Sequence, residues 1–237
     1  MEQNMEQIIE LKEMIKVLKE KETNEELLFG RMDNYKAYKT LFEEREIKDF
    51  KQLLLNTIDF YLNNRSVEKY DLEISCDESV EVIESKLVEE YVKLIDCIKD
   101  ENNICEINKE TNLEKIKFIY FKLEIPNSNH NITIFKRFIK PKISLRQSIK
   151  FKILGNKMQR INEDILYLDS SVAAIEYNGK FYIFDRNYFN SLFKFRDMYC
   201  KLIENNAVQI RESDFIDDPE AFIEKCKNNR SLCKKNI

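Results

Sequence analysis

"VAAIEYNGKFYIFD" spans Val172–Asp185 and sets the fold class. Two apolar, aromatic-rich runs flank the dipeptide Asn178-Gly179. Both central residues of a type I′ turn need positive φ, and Asn-Gly supplies this at low cost. The stretch therefore reads as a two-residue β-hairpin. Upstream, "KIKFIYFKLEI" (115–125) alternates its faces, "PNSNHN" is a turn, and "ITIFKRFI" (132–139) is a second strand antiparallel to the first. "QSIKFKIL" (147–154) alternates again.

The flanks are helical. Asp185 or Asn187 can cap a helix that puts Phe189, Leu192, Phe193, Tyr199, Leu202 and Ile203 on one face. Asp218 followed by Pro219 opens another, since a proline in the first turn loses no hydrogen bond there. Near the N-terminus, Met5, Ile8, Ile9, Lys12, Ile15 and Leu18 form one stripe, apolar except at Lys12. Phe50, Leu53, Leu54, Thr57, Ile58 and Tyr61 form a second. "VEKYDLEIS" (67–75) reads as a short strand. Ser75 and Glu78 have capping-box spacing, and Val80, Ile83, Leu87, Tyr91, Leu94 and Ile98 continue from them at helical spacing. The expected fold is α+β. A mostly helical, acidic region (1–110) precedes an antiparallel sheet of four to six strands with two C-terminal helices (111–237).

Composition excludes several functions. The three glycines, Gly30, Gly155 and Gly179, never cluster, so no backbone cradle for a nucleotide phosphate can form. The single histidine, His130, lies in a turn, which removes His-paired nucleophiles and multi-His metal sites. The six cysteines lack C-x-x-C spacing and read as reduced thiols in a cytoplasmic protein. The acidic start is unlike an export signal, and no apolar run approaches the roughly 18 residues of a membrane span.

Charge is the most informative feature. The chain has formal net charge -4, yet residues 125–162 hold nine Lys or Arg and no acid. At the chain's own acid content, about seven acids would be expected there. Alternating Lys and apolar residues suit a half-solvated strand, but solvated faces normally mix signs, and a face of one sign acts on partners. Lys136, Arg137, Lys140, Lys142, Arg146, Lys150, Lys152, Lys157 and Arg160 are the candidate nucleic-acid contacts. The alternative is a surface that docks an acidic partner, including a second copy. A metal-dependent nuclease would need clustered carboxylates. "IESK" (Glu84, Lys86, with Asp77 upstream) falls on an expected helix, and spacing does not show whether Asp169, Glu176 and Asp185 converge. No catalytic residue, cofactor or metal site is assigned.

The order of the C-terminal half resembles the KwaB-like family, the soluble component of the two-gene Kiwa phage-defence system. The matching residues are Ala174, Ile175, Tyr177, Asn178, Gly179, Tyr182, Ile183, Phe184, Asn187, Phe189 and Phe193, within about residues 113–237. The resemblance implies a bacterial anti-phage protein that is not itself an enzyme. Such a protein would bind DNA largely without sequence preference and act with a small membrane partner, a KwaA-like protein, to block phage replication or expression. It would be cytoplasmic, peripheral to the membrane through that partner, and a homodimer or higher oligomer.

Overall fold

A computed structural model describes residues 2–72, 78–108, 111–128, 130–139, 150–154, 157–161, 168–195, 200, 203–204, 206–211 and 218–228. The central element is a nine-stranded mixed sheet. Its strands are β1 (Asn24–Gly30), β2 (Ala37–Lys39), β3 (Ser66–Lys69), β4 (Ser79–Glu84), β5 (Ile104–Glu106), β6 (Phe118–Glu124), β7 (Asn131–Arg137), and then β10 (Ala174–Tyr177) and β11 (Lys180–Ile183). Among the described residues, β8 (Lys150–Leu154) and β9 (Lys157–Ile161) pair only with each other, as a separate antiparallel ribbon. The spatial order of the large sheet is β3-β4-β11-β10-β7-β6-β1-β2-β5. Its two outermost pairs, β3 with β4 and β2 with β5, are parallel, and the interior is antiparallel.

The hairpin forms as its turn chemistry requires. Asn178 and Gly179 have φ of 49° and 75°, and Tyr177 pairs with Lys180. Gly30 answers a different need. It lies opposite Phe118, and a Cβ there would sit 1.9 Å from the Phe118 ring. The Asp185 carboxylate accepts from the Tyr188 amide (2.9 Å) and caps α4 (Arg186–Leu192). Asp218 likewise accepts from the Ala221 amide (3.0 Å). It precedes α6 (Pro219–Asn228), which follows the short α5 (Ala207–Arg211).

Both faces of the sheet are covered. On one face, α1 (Glu2–Glu20) and α2 (Glu44–Asn64) pack through Leu11, Ile15, Leu54 and Ile58 onto Phe29, Phe121, Ile134 and Ile175. On the other, α3 (Glu89–Lys99), α4, α5 and α6 pack through Leu94, Phe189, Ala207 and Ile223 onto Phe118, Phe135 and Phe181. Strands covered on both faces need apolar residues in succession, which accounts for the buried runs Phe118–Phe121 and Ile132–Phe135.

Three expectations change. Residues 79–84 form strand β4, and the helix starts only at Glu89. Val80 and Ile83 fit helical spacing, but the segment is rich in β-branched residues and β11 offers it a partner edge, pairing with Glu81–Glu84 along four positions. The sheet has nine strands because residues 24–106 contribute five of them. It also crosses the boundary expected near residue 110, since β1 pairs with β6 at seven positions. The strand expected over 67–75 is seen as β3, and residues 73–77, with the Ser75 cap, lie outside the described residues.

Candidate functional site

The nine basic candidates divide into separate environments. Lys136 is 1 % exposed, on the face of β7 covered by α1 and α2. Its ammonium donates to the Asp169 carboxylate, to the Ser171 carbonyl (2.9 Å) and to the Ser171 hydroxyl (2.8 Å). Burial pushes the Lys136 ammonium below its usual pKa, against the pull of Asp169. Burial works to raise the Asp169 pKa, but hydrogen bonds from Lys136 and Ser171 outweigh it and hold the carboxyl below the usual range. This lysine is a core ion pair and not part of a solvated strip. A sheet covered on both faces has no solvated side on which alternate lysines can lie.

Arg137, the next residue, is exposed, with its guanidinium 5.7 Å from the Tyr188 ring. Lys140, Lys142 and Arg146 lie outside the described residues. Lys150, Lys152, Lys157 and Arg160 fall on the β8–β9 ribbon. There Lys150 pairs with Ile161, Lys152 with Gln159, Leu154 with Lys157, and Phe151 with Arg160. Lys150, Lys152 and Lys157 therefore share one parity of the ladder, and Arg160 has the other.

Of the carboxylates considered for a metal site, Asp77 lies outside the described residues and the others do not converge. Asp169 holds Lys136, Asp185 caps α4, and Glu84 pairs with Lys86 at 2.7 Å. Among the described residues, no group of three or more His, Cys, Asp or Glu side chains is placed to hold a metal ion. His130 is exposed in the turn between β6 and β7.

A groove of about 940 Å³ runs under α3, and the sequence did not signal it. Its floor is a row of residues paired across four strands: Glu26 with Lys122, Lys122 with Thr133, and Thr133 with Glu176. Tyr120 lies one step along the sheet, while Tyr91, Ile95 and Ile98 of α3 form the roof. The mouth lies where β2, which pairs with β1 only at Phe29 and Gly30, gives way to Thr40, Leu41 and Phe42. Burial holds the Glu176 carboxyl above the usual range, although the Gly179 amide donates to it (3.1 Å). Burial also pushes Tyr120 up to about 12, against a hydrogen bond with Thr133. Thr133 and Glu176 are the polar interruptions in "ITIF" and "AIEY". Only their register shows that they adjoin.

The family model for the Kiwa protein KwaB-like matches residues 113–236, just over half of the chain. The chain belongs to the KwaB-like family. The match covers β6 to β11 and α4 to α6, with the Lys136–Asp169 pair, the β8–β9 ribbon and Glu176 inside it. Membership makes the chain a component of Kiwa anti-phage defence. No curated protein and no solved structure matches it. Among the described residues, no helix is long and apolar enough to cross a membrane.

Proposed function

We propose that this KwaB-like chain is the DNA-binding arm of its defence system and acts by occupying DNA, not by cutting it. It would bind largely without sequence preference, as a homodimer or larger assembly. A KwaA-like membrane partner would hold it at the inner face of the membrane, and phage replication or expression would stall on the bound DNA. One observation carries the reading: nine cations and no acid over residues 125–162 of an acidic chain. Four of those cations, Lys150, Lys152, Lys157 and Arg160, lie on the β8–β9 ribbon, which among the described residues pairs with no strand of the main sheet, whereas Lys136 is buried in β7. Each phosphate that a Lys or Arg neutralises releases counterions, which drives association without reading sequence. A two-stranded ribbon also fits the roughly 12 Å major groove of duplex DNA.

The test is anisotropy of a labelled duplex across a salt series, with and without Mg²⁺. Wild type is compared with a variant in which Lys150, Lys152, Lys157 and Arg160 are all changed to Glu. Salt-sensitive binding by wild type, its loss in the variant, and intact DNA throughout are the expected results. A folded wild type that ignores DNA at low salt would assign the segment to an acidic protein partner or a second copy. Cleavage with Mg²⁺ would reinstate the nuclease alternative.

A further inference from the structure

The inner end of the groove under α3 has an unusual composition for the interior of this sheet. The Glu176 carboxyl, the Thr133 hydroxyl and the hydroxyls of Tyr91 and Tyr120 gather there, beside a cluster of phenylalanines. Thr133 is 3 % exposed and Tyr120 5 %. Among the described residues, the Tyr91 hydroxyl has no hydrogen-bond partner, and the Glu176 carboxylate receives only the Gly179 amide. No cation is paired with Glu176 among those residues. Lys122, two strands away along the floor, donates to Glu124 at 2.8 Å.

We propose that this groove binds a small organic cation with N–H donors, an alkylammonium or alkylguanidinium, with Glu176 as its counter-charge. A desolvated carboxylate is costly unless it is paired and hydrogen-bonded. Glu176 keeps acceptor capacity beyond the Gly179 bond, and two tyrosines add further acceptors and aromatic faces that attract a cation. Lys39, Lys99 and Lys122 also line the groove, but Lys122 is held by Glu124 and Glu176 is the formal charge at the inner end, where an anion would be repelled. A neutral apolar ligand would leave the carboxylate and hydroxyls unpaired. From β10 to β1 the floor covers three strand spacings, about 14 Å. That is long enough for an alkyl chain, and Leu28, Ile95, Ile98 and Ile104 line its path. The volume lies within the range of sites that enclose small molecules, and convergent polar groups in a large pocket are the usual mark of one.

The experiment is calorimetric titration of the full chain with butylguanidinium and butylammonium, with butyrate as the anionic control. Saturable binding of both cations and none of butyrate is expected. Glu176→Gln should weaken the cations by about 10- to 100-fold, the worth of one charge-assisted hydrogen bond. Glutamine keeps the shape and can still accept from Gly179. If that variant does not fold, Ile95→Phe fills the groove from the roof and should abolish binding without touching the floor. A folded wild type that binds neither cation overturns the proposal, as does butyrate binding as tightly as they do. A capped arginine peptide that binds more tightly than butylguanidinium would identify the natural ligand as an arginine side chain of a partner. Weaker binding by the peptide would identify a free metabolite. Either result keeps the cation site.

Discussion

Lys136 and Asp169, 33 residues apart, form an ion pair at the two ends of the basic arm. Between them lie Lys140 to Arg160, with seven of the nine cations. Beside the pair, the Ala173 amide donates to the Phe135 carbonyl (2.9 Å), so the chain returns to the strand it left. Lys136, one of the nine candidate DNA contacts, therefore anchors the arm and does not carry its charge outward.

Removing one partner leaves the other buried and unpaired. Lys136→Met is expected to cost about 3 kcal/mol, and Asp169→Asn less, because Asp169 keeps 28 % of its side chain in water. Urea denaturation followed by circular dichroism measures both. The folded-state pKa of Asp169 is depressed, so its contribution is complete above the unfolded value, near 4, and is lost as pH falls through the folded one. Asp169→Asn should flatten that acid limb. For Lys136 the depressed pKa has the opposite meaning: stability rises with pH from its folded value towards 10.5.

Glu90 tests a second clasp. Its carboxylate accepts from Tyr35 (2.8 Å), Lys93 (3.0 Å) and Lys194 (2.6 Å), joining α3 to the turn after β1 and to the end of α4. Burial opposes ionisation, but these bonds outweigh it and hold the pKa at about 2. Stability from Glu90 is then complete above 4.5 and lost between there and about 2. Lys93 and Lys194 are about half exposed, so screening limits the loss in Glu90→Gln to about 1–2 kcal/mol. Thermal melts at pH 7 and pH 3 should differ less in the variant than in wild type.

Gly30→Ala puts a Cβ against the Phe118 ring, which is fully buried and has little room to move. Overpacking of this kind costs about 1–3 kcal/mol. The double variant Gly30→Ala/Phe118→Leu should recover part of it in denaturant titrations. Equal stability of the single variant and wild type would contradict the packing described.

The ribbon prediction concerns slope as well as affinity. Each phosphate contact contributes about 0.9 to the dependence of log K on log salt. Changing Lys150, Lys152 and Lys157 to Gln should therefore lower the slope by up to about 2.7. Lys136→Gln should lower stability and leave the slope unchanged. A slope that falls for Lys136→Gln, in a folded protein, would place that lysine at the DNA.

The comparison of 172–185 with 79–84 shows where sequence signals reach their limit. Asn178-Gly179 acts through its own backbone, since positive φ at two adjacent residues leaves the chain few routes but reversal. The caps at Asp185 and Asp218 are equally local, and both form. Residues 79–84 satisfy helical spacing and strand propensity together, and the free edge of β11 settles the choice. The groove was illegible for a related reason. Its floor takes one residue from each of four strands, and their adjacency depends on register, which period-2 patterns do not specify between strands.

The amino-acid sequence by itself determined the hairpin, the pairing of β6 with β7, the helix caps, the kinship with KwaB-like proteins, and a segment of one charge sign in an acidic chain. These rest on turn chemistry, short-range periodicity and composition, each complete within a few residues or a simple count. Only the tertiary structure decided that residues 24–106 supply five strands, that both sheet faces are covered, and that Lys136 is buried against Asp169 while Arg137 is exposed. Those outcomes depend on which distant surfaces meet. A strand's pattern says that its two faces differ, but the helices packed on the sheet determine whether either face reaches water.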